Sequence, residues 1–170
     1  GDLLEFYEQS FRVDPLERRG VDRSLWIWEH VDYSRNYMIV ADVARGDGKD
    51  FSTFHIIDIE NCKQVGEYRG QLPPKEFAHL LVGIATEYSN ALLVVENANI
   101  GWSTIETIQE RGYANLYHSP KSGNVTADSY FDPHGLNSNM TPGFTTTSKT
   151  RPLAIAKLQE SINDKSAIIH

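Results

Sequence analysis

Tyr37-Met38-Ile39-Val40-Ala41-Asp42-Val43 is the stretch on which the fold turns. Its nearly continuous apolar run marks a strand covered on both faces, so it belongs in the centre of a sheet. Asp42 ends that run, where an ionised carboxylate is costly unless it is paired or bound to a metal. Ala91-Leu92-Leu93-Val94-Val95-Glu96 repeats the pattern, a buried strand closing on an acid. If the two strands are parallel neighbours, about 4.8 Å apart, both carboxylates emerge side by side at one sheet edge. Like charges so close repel, a divalent cation relieves the repulsion, and oxygen ligands suit Mg²⁺ or Mn²⁺. The plainer reading is that each acid caps its strand or pairs with an arginine.

Working outward, Ala44-Arg45-Gly46-Asp47-Gly48-Lys49-Asp50 reads as a tight connection into a second strand, Phe51 to Asp58. Asp47 suits a turn. Asp50 opens the second strand, from which it could point back at a metal held by Asp42. Lys49 or Arg45 could meet a phosphate or simply be solvated. Lys63 to Gly70 gives a third strand after the Glu60-Asn61 turn, and the three make an antiparallel meander. From Pro73 the period changes: Phe77, Leu80, Leu81, Ile84, Ala85 and Tyr88 line one face of a helix opened by two prolines. After the strand ending at Glu96 come a helix through Ile105 and Ile108 that stops at Gly112, then a short strand at Asn115 to Tyr117. A strand reached by a helical crossover can lie parallel beside the first, which predicts a mixed sheet with helices on its faces.

Upstream, Leu25-Trp26-Ile27-Trp28 is a short aromatic strand signal, and residues 1 to 22 read as a charged arm connecting to another domain. Downstream, residues 118 to 148 are rich in glycine, proline, serine and threonine; a loop of this length points to function, and a small hairpin or flap is expected. Arg151 to Asn163 returns to helix. The strand-like run at Ala167-Ile168-Ile169 is cut short by the chain end, the pattern expected of a truncation.

With 40% hydrophobic and 23% charged residues among 170, disorder is excluded as the default, and the absence of a long apolar run excludes a membrane-spanning helix. The net charge of -7 argues against a nonspecific polyanion binder. Thirteen of the 23 acidic residues fall in residues 1 to 60, where the candidate metal ligands begin. Gly1-Asp2-Leu3-Leu4-Glu5 has no basic n-region and no apolar h-region, and Cys62 has no internal disulfide partner, so the reading is intracellular. The sequons at Asn124 and Asn139 are then chance matches.

Several other chemistries fail on spacing. Gly48-Lys49 lacks the glycine and the Ser or Thr of a P-loop, since Val43 and Asp50 stand at those positions. Without a P-loop, the apolar strand before Glu96 has no nucleotide to serve. Cys62 sits in a presumed turn with no histidine placed to activate it. His55, His79, His118 and His134 are scattered without zinc spacing. Trp26, Trp28 and Phe51 read as core rather than as a base-stacking platform.

Taken together, Tyr37-Met38-Ile39-Val40-Ala41-Asp42-Val43-Ala44-Arg45-Gly46-Asp47-Gly48-Lys49-Asp50-Phe51-Ser52-Thr53, Val94-Val95-Glu96-Asn97, and the Gly143 to Pro152 block with its Lys149 and Arg151 resemble the nuclease domain of the large terminase subunit of tailed phages. The resemblance runs from about Leu25 to the chain end. It implies a ribonuclease H-like α/β fold: a mixed five-stranded sheet, three antiparallel strands then parallel strands, with helices on both faces. Residues 1–22 would be a linker remnant and 23–170 the nuclease domain, truncated at its C-terminus. It also implies a divalent-metal-dependent endonuclease that cuts concatemeric double-stranded DNA during genome packaging in the host cell cytoplasm. The implied partners are that DNA, a terminase ATPase domain and the portal and prohead, with no membrane. By position Asp42 and Glu96 match the first- and fourth-strand metal ligands and Asp50 an accessory acid, with Mg²⁺ or Mn²⁺ as cofactor. The family's remaining catalytic acid would lie beyond His170, so slow or absent cleavage is expected of this piece. DNA contacts are expected from a strip including Lys121, Lys149, Arg151 and Lys157.

Other readings stay open on the sequence. Actin-like and sugar-kinase ATPases share the acid and glycine hairpin but need two such domains. A noncatalytic DNA-binding or assembly module of the same fold, and another ribonuclease H-like nuclease such as a resolvase or transposase, fit the same acids. The Gly143 to Pro152 block favours terminase.

Overall fold

The alternation along Tyr37–Asp42 settles which way the central strand faces. Tyr37, Ile39 and Ala41 belong to one buried cluster and Met38 and Val40 to another, as a period of two requires when both faces are covered. The structure is a computed structural model that describes residues 14–45, 50–97, 100–120 and 140–143. In chain order its elements are β1 (Glu17–Arg19), β2 (Leu25–Ile27), β3 (Tyr37–Asp42), β4 (Ser52–Asp58), β5 (Lys63–Gly70), α1 (Pro74–Glu87), β6 (Leu92–Val95), α2 (Gly101–Glu110), β7 (His118–Pro120) and β8 (Met140–Pro142).

Strands β1 to β6 form one sheet in the order β1-β2-β5-β4-β3-β6. The β3-β4-β5 meander is antiparallel, and β6 returns through α1 to lie parallel beside β3. The expected mixed sheet is present, with six strands rather than five. The open edge is longer because β2 pairs with β5 and β1 pairs with β2. Strand β1 lies within the stretch read as a connecting arm. Its three charged residues carry no strand period; what holds them is distant, a two-pronged ion pair from the Arg19 guanidinium to Glu87 on α1 at 2.6 and 2.8 Å. Beyond β6, Asn115 to Tyr117 adds a short parallel pairing, with the Leu93 N–H donating to the Asn115 carbonyl at 2.9 Å and the Tyr117 N–H to the Leu93 carbonyl at 2.8 Å.

Both described helices pack on the face that carries Ile39, Ala41, Phe54, Leu93 and Val95. In α1 the buried Phe77, Leu81, Ile84 and Ala85 follow the expected stripe, and Tyr88 closes the helix with its hydroxyl donating to the Glu29 carbonyl at 2.7 Å. Helix α2 ends at Gly112, whose φ of 73° permits the left-handed turn: the Gly112 N–H reaches the Gln109 carbonyl and the Tyr113 N–H the Ile108 carbonyl. Met38, Val40, Ile57, Leu92 and Val94 form the cluster on the opposite face. The helix expected over Arg151 to Asn163, which would supply helices on both faces, lies outside the described residues. So do the chain end and the DNA-contact candidates Lys121, Lys149, Arg151 and Lys157.

Among the aromatic residues read as core, only Trp28 is buried. Trp26 is half-buried under the Arg18 guanidinium, and Phe51 is 43% exposed under Arg69. Each lies on the sheet face away from the helices, where a strand's outward residues need not be apolar.

Candidate functional site

The register of β3 and β6 brings the two strand-end acids together. Ala41 pairs with Val95, and the Glu96 N–H donates to the Ala41 carbonyl at 3.0 Å, so Asp42 and Glu96 occupy the next step on adjacent parallel strands. Alternation puts Asp42 on the face of Met38 and Val40, and Glu96 on the face of Leu92 and Val94. Both acids therefore belong to the sheet face away from α1 and α2, at the same end of the strands, and both are half-buried. Their nearest apolar neighbours along the strands, Val40 and Val94, are almost fully buried and give the pair a dry floor.

Local chemistry fixes the backbone on either side. Past Asp42, the Ala44 N–H donates to the Ser52 hydroxyl at 2.8 Å, tying the chain that leaves β3 to the first residue of β4. Ser52 is fully buried and Asp42 pairs with Thr53. Past Glu96, α2 begins so close to the Glu96 carbonyl that a side chain at Gly101 would collide with it. Asn97 is buried, and its side-chain amide donates to the Pro142 carbonyl at 3.1 Å. Gly143, at φ 90°, sits where a Cβ would come within 2.9 Å of the Val95 carbonyl, and its N–H donates to the Tyr117 carbonyl at 2.8 Å. Within the stretch expected to hold a small hairpin or flap, β7 and β8 pair antiparallel, anchored by Asn97 and Gly143 beside Glu96, and the residues between them lie outside the described ones. The structural reason for Asn after Glu, and for Gly143, has no signal in one sequence beyond the motif match itself.

Asp50 is exposed and lies two residues ahead of β4, past the last paired residues of the meander. Among the described residues no three His, Cys, Asp or Glu side chains are grouped to hold a metal, so Asp50 is not drawn into a trio with Asp42 and Glu96. Gly46 to Lys49 lie outside the described residues. The donor set present fits a hard divalent cation: two carboxylates side by side offer oxygen ligands and no sulfur or imidazole. Cys62 is exposed in its turn, as expected.

Sequence reading missed Arg69 and Thr53. Thr53 pairs with both Asp42 and Arg69, which places Asp42, Thr53 and Arg69 in one row across three strands. Only the register of β4 on β5 reveals this, because Arg69 is 27 residues from Asp42 in the chain.

No protein-family model matches the chain, and no curated protein matches it in sequence. Solved structures do match in fold. The large terminase nuclease from thermophilic phage G20c with bound cobalt superposes with a TM-score of 0.56 at 18% identity, covering 91% of this chain and 66% of that one. The same nuclease with bound magnesium gives 0.57 at 18% identity, covering 91% and 67%. The Thermus phage P74-26 large terminase nuclease domain gives 0.53 at 18% identity, covering 91% and 65%. The chain thus spans about two thirds of the length of the nuclease structures it matches. No described helix is long and apolar enough to cross a membrane. In its strand order, its parallel return beside the central strand and its helix placement, this chain has the ribonuclease H-like fold of phage large terminase nuclease domains.

Proposed function

We propose that this chain is the divalent-metal-dependent endonuclease domain of a phage terminase large subunit, cutting concatemeric double-stranded DNA during genome packaging. The observation that carries the reading is the placement of Asp42 and Glu96 on neighbouring parallel strands at one end of the sheet. In this reading Asp42 and Glu96 hold Mg²⁺ or Mn²⁺, with Asp50 as an accessory acid. A divalent ion there supplies the Lewis acidity that phosphodiester hydrolysis needs. The protein's own part is orientation: Ser52 fixes the backbone after Asp42, Gly101 and Asn97 fix it after Glu96, and Val40 and Val94 keep water from the floor of the site. The DNA substrate, a terminase ATPase domain, the portal and prohead, and action in the host cell cytoplasm belong to the same proposal. Lys121, Lys149, Arg151 and Lys157 remain its candidate DNA contacts.

The test reads metal before catalysis. Mg²⁺ or Mn²⁺ raises the melting temperature by ligand linkage, and Asp42→Asn removes most of the rise. An unchanged rise in Asp42→Asn places the metal elsewhere and overturns the site. With supercoiled plasmid and Mn²⁺, nicking that Glu96→Ala abolishes supports the endonuclease. Metal and DNA binding without any nicking, measured in a chain extended past His170, supports the alternative, a noncatalytic DNA-binding or assembly module of the same fold.

A further inference from the structure

We propose that Arg69, stacked on Phe51, binds a backbone phosphate of the nucleic acid and seats the strand across the sheet beside Asp42 and Glu96. The inference rests on the nuclease reading above and specifies how its substrate is held. The row runs Glu96, Asp42, Thr53, Arg69: two carboxylates, a hydroxyl and a guanidinium, at matching register positions one residue past β6 and on β3, β4 and β5. With strands about 4.8 Å apart, the Arg69 backbone lies roughly 10 Å from that of Asp42. That separation lets neighbouring phosphates of one strand meet Arg69 and the carboxylate pair together.

The state of Arg69 suits an anion rather than an internal partner. Arg19 pairs with Glu87 and Arg35 with Asp58, whereas among the described residues Arg69 is exposed and makes no ion pair, Glu67 two residues away acting on it only at longer range. Its guanidinium carbon lies 4.2 Å from the centre of the Phe51 ring, which is itself 43% exposed. A ring beneath the guanidinium restrains the side chain through a cation–π contact while its N–H donors remain able to bind a phosphate bidentately. Arg18 over Trp26, at 4.7 Å, repeats the arrangement further along the same face. Trp26 pairs with Glu67, which stands two residues from Arg69. Two arginines laid on aromatic rings, with Glu67 between them, supply local cationic groups near the carboxylate pair on a chain whose net charge is -7.

The experiment measures binding of a fluorescein-labelled DNA duplex by anisotropy in Ca²⁺, as a function of salt. Removing one phosphate contact lowers the slope of log K against log salt by about 0.9, which is about eightfold in affinity at 0.1 M salt relative to 1 M. Arg69→Ala is expected to show that loss. Arg69→Lys keeps the charge but loses the bidentate fork, so it falls between. Phe51→Leu weakens binding with the slope retained. Arg111→Ala, which removes the same charge from the end of α2, is the control and leaves the slope unchanged. Circular dichroism verifies that each variant is folded. A wild type that binds while Arg69→Ala binds equally well, with the same slope, overturns the role of Arg69 and leaves the nuclease reading standing. A folded wild type that binds no duplex overturns both.

Discussion

Replacing Gly101 by alanine tests how tightly the site's backbone is built. Gly101 is the first residue of α2, and an ideal Cβ there falls well inside the 3.0 Å that real Cβ atoms respect, against the Glu96 carbonyl oxygen, with the carbonyl carbon at 3.1 Å. The atom struck is backbone, and Glu96 is also held by its N–H to the Ala41 carbonyl at 3.0 Å, so no side-chain rotation relieves the clash. Forcing such an overlap costs about 1–3 kcal/mol. The better helix propensity of alanine returns at most about 1 kcal/mol. The net expectation is a loss of about 1–2 kcal/mol, or about 2–8 °C in melting temperature for a chain of this size. Gly83, inside α1, has nothing among the described residues within 4 Å of the equivalent Cβ, so Gly83→Ala should gain up to about 1 kcal/mol and melt about 2–4 °C higher. Differential scanning calorimetry of the two variants reads both signs. The Mg²⁺-linked rise should also shrink in Gly101→Ala, because the shifted carbonyl moves Glu96. A Gly101→Ala protein as stable as wild type would refute the close approach and the rigidity argued from it.

Two further outcomes follow from one half-buried and one buried polar group. Burial raises the Glu67 carboxyl above its ordinary pKa of 4.5, partly offset by Arg69, so the folded state holds that proton more tightly than the unfolded chain. The penalty is therefore full above the raised pKa and vanishes below the unfolded one: Glu67→Gln should raise the melting temperature at pH 7 and leave it unchanged near pH 3.5, and a gain of equal size at both would contradict the cause. Asn97→Ala removes the donor to the Pro142 carbonyl and should cost about 1–3 kcal/mol. Amide exchange at Gly143, whose N–H is bonded to the Tyr117 carbonyl, should then quicken, and unchanged exchange would separate Asn97 from the hairpin base.

What one sequence could determine here was whatever the physics makes local. The two-faced strand Tyr37–Asp42 and its twin Leu92–Val95 announce their burial by composition, α1 by a repeating apolar face, and the end of α2 by Gly112, because each depends on residues a few positions apart. Asp42 and Glu96 were legible as candidates for the same reason: an acid ending an apolar strand is anomalous within a short window. That the two meet was conditional until the parallel register of β3 and β6 was known, since 54 residues separate them. Strand β1 was invisible because its three charged residues have no strand propensity, and its place is held by β2 and by Glu87, 68 residues on. Arg69 carried no signal either, for an arginine in a strand reads as a solvated face until pairing aligns it with Thr53 and Asp42. Local periodicity writes which face of an element is buried; which elements become neighbours depends on packing over the whole chain, and the site is a property of neighbours.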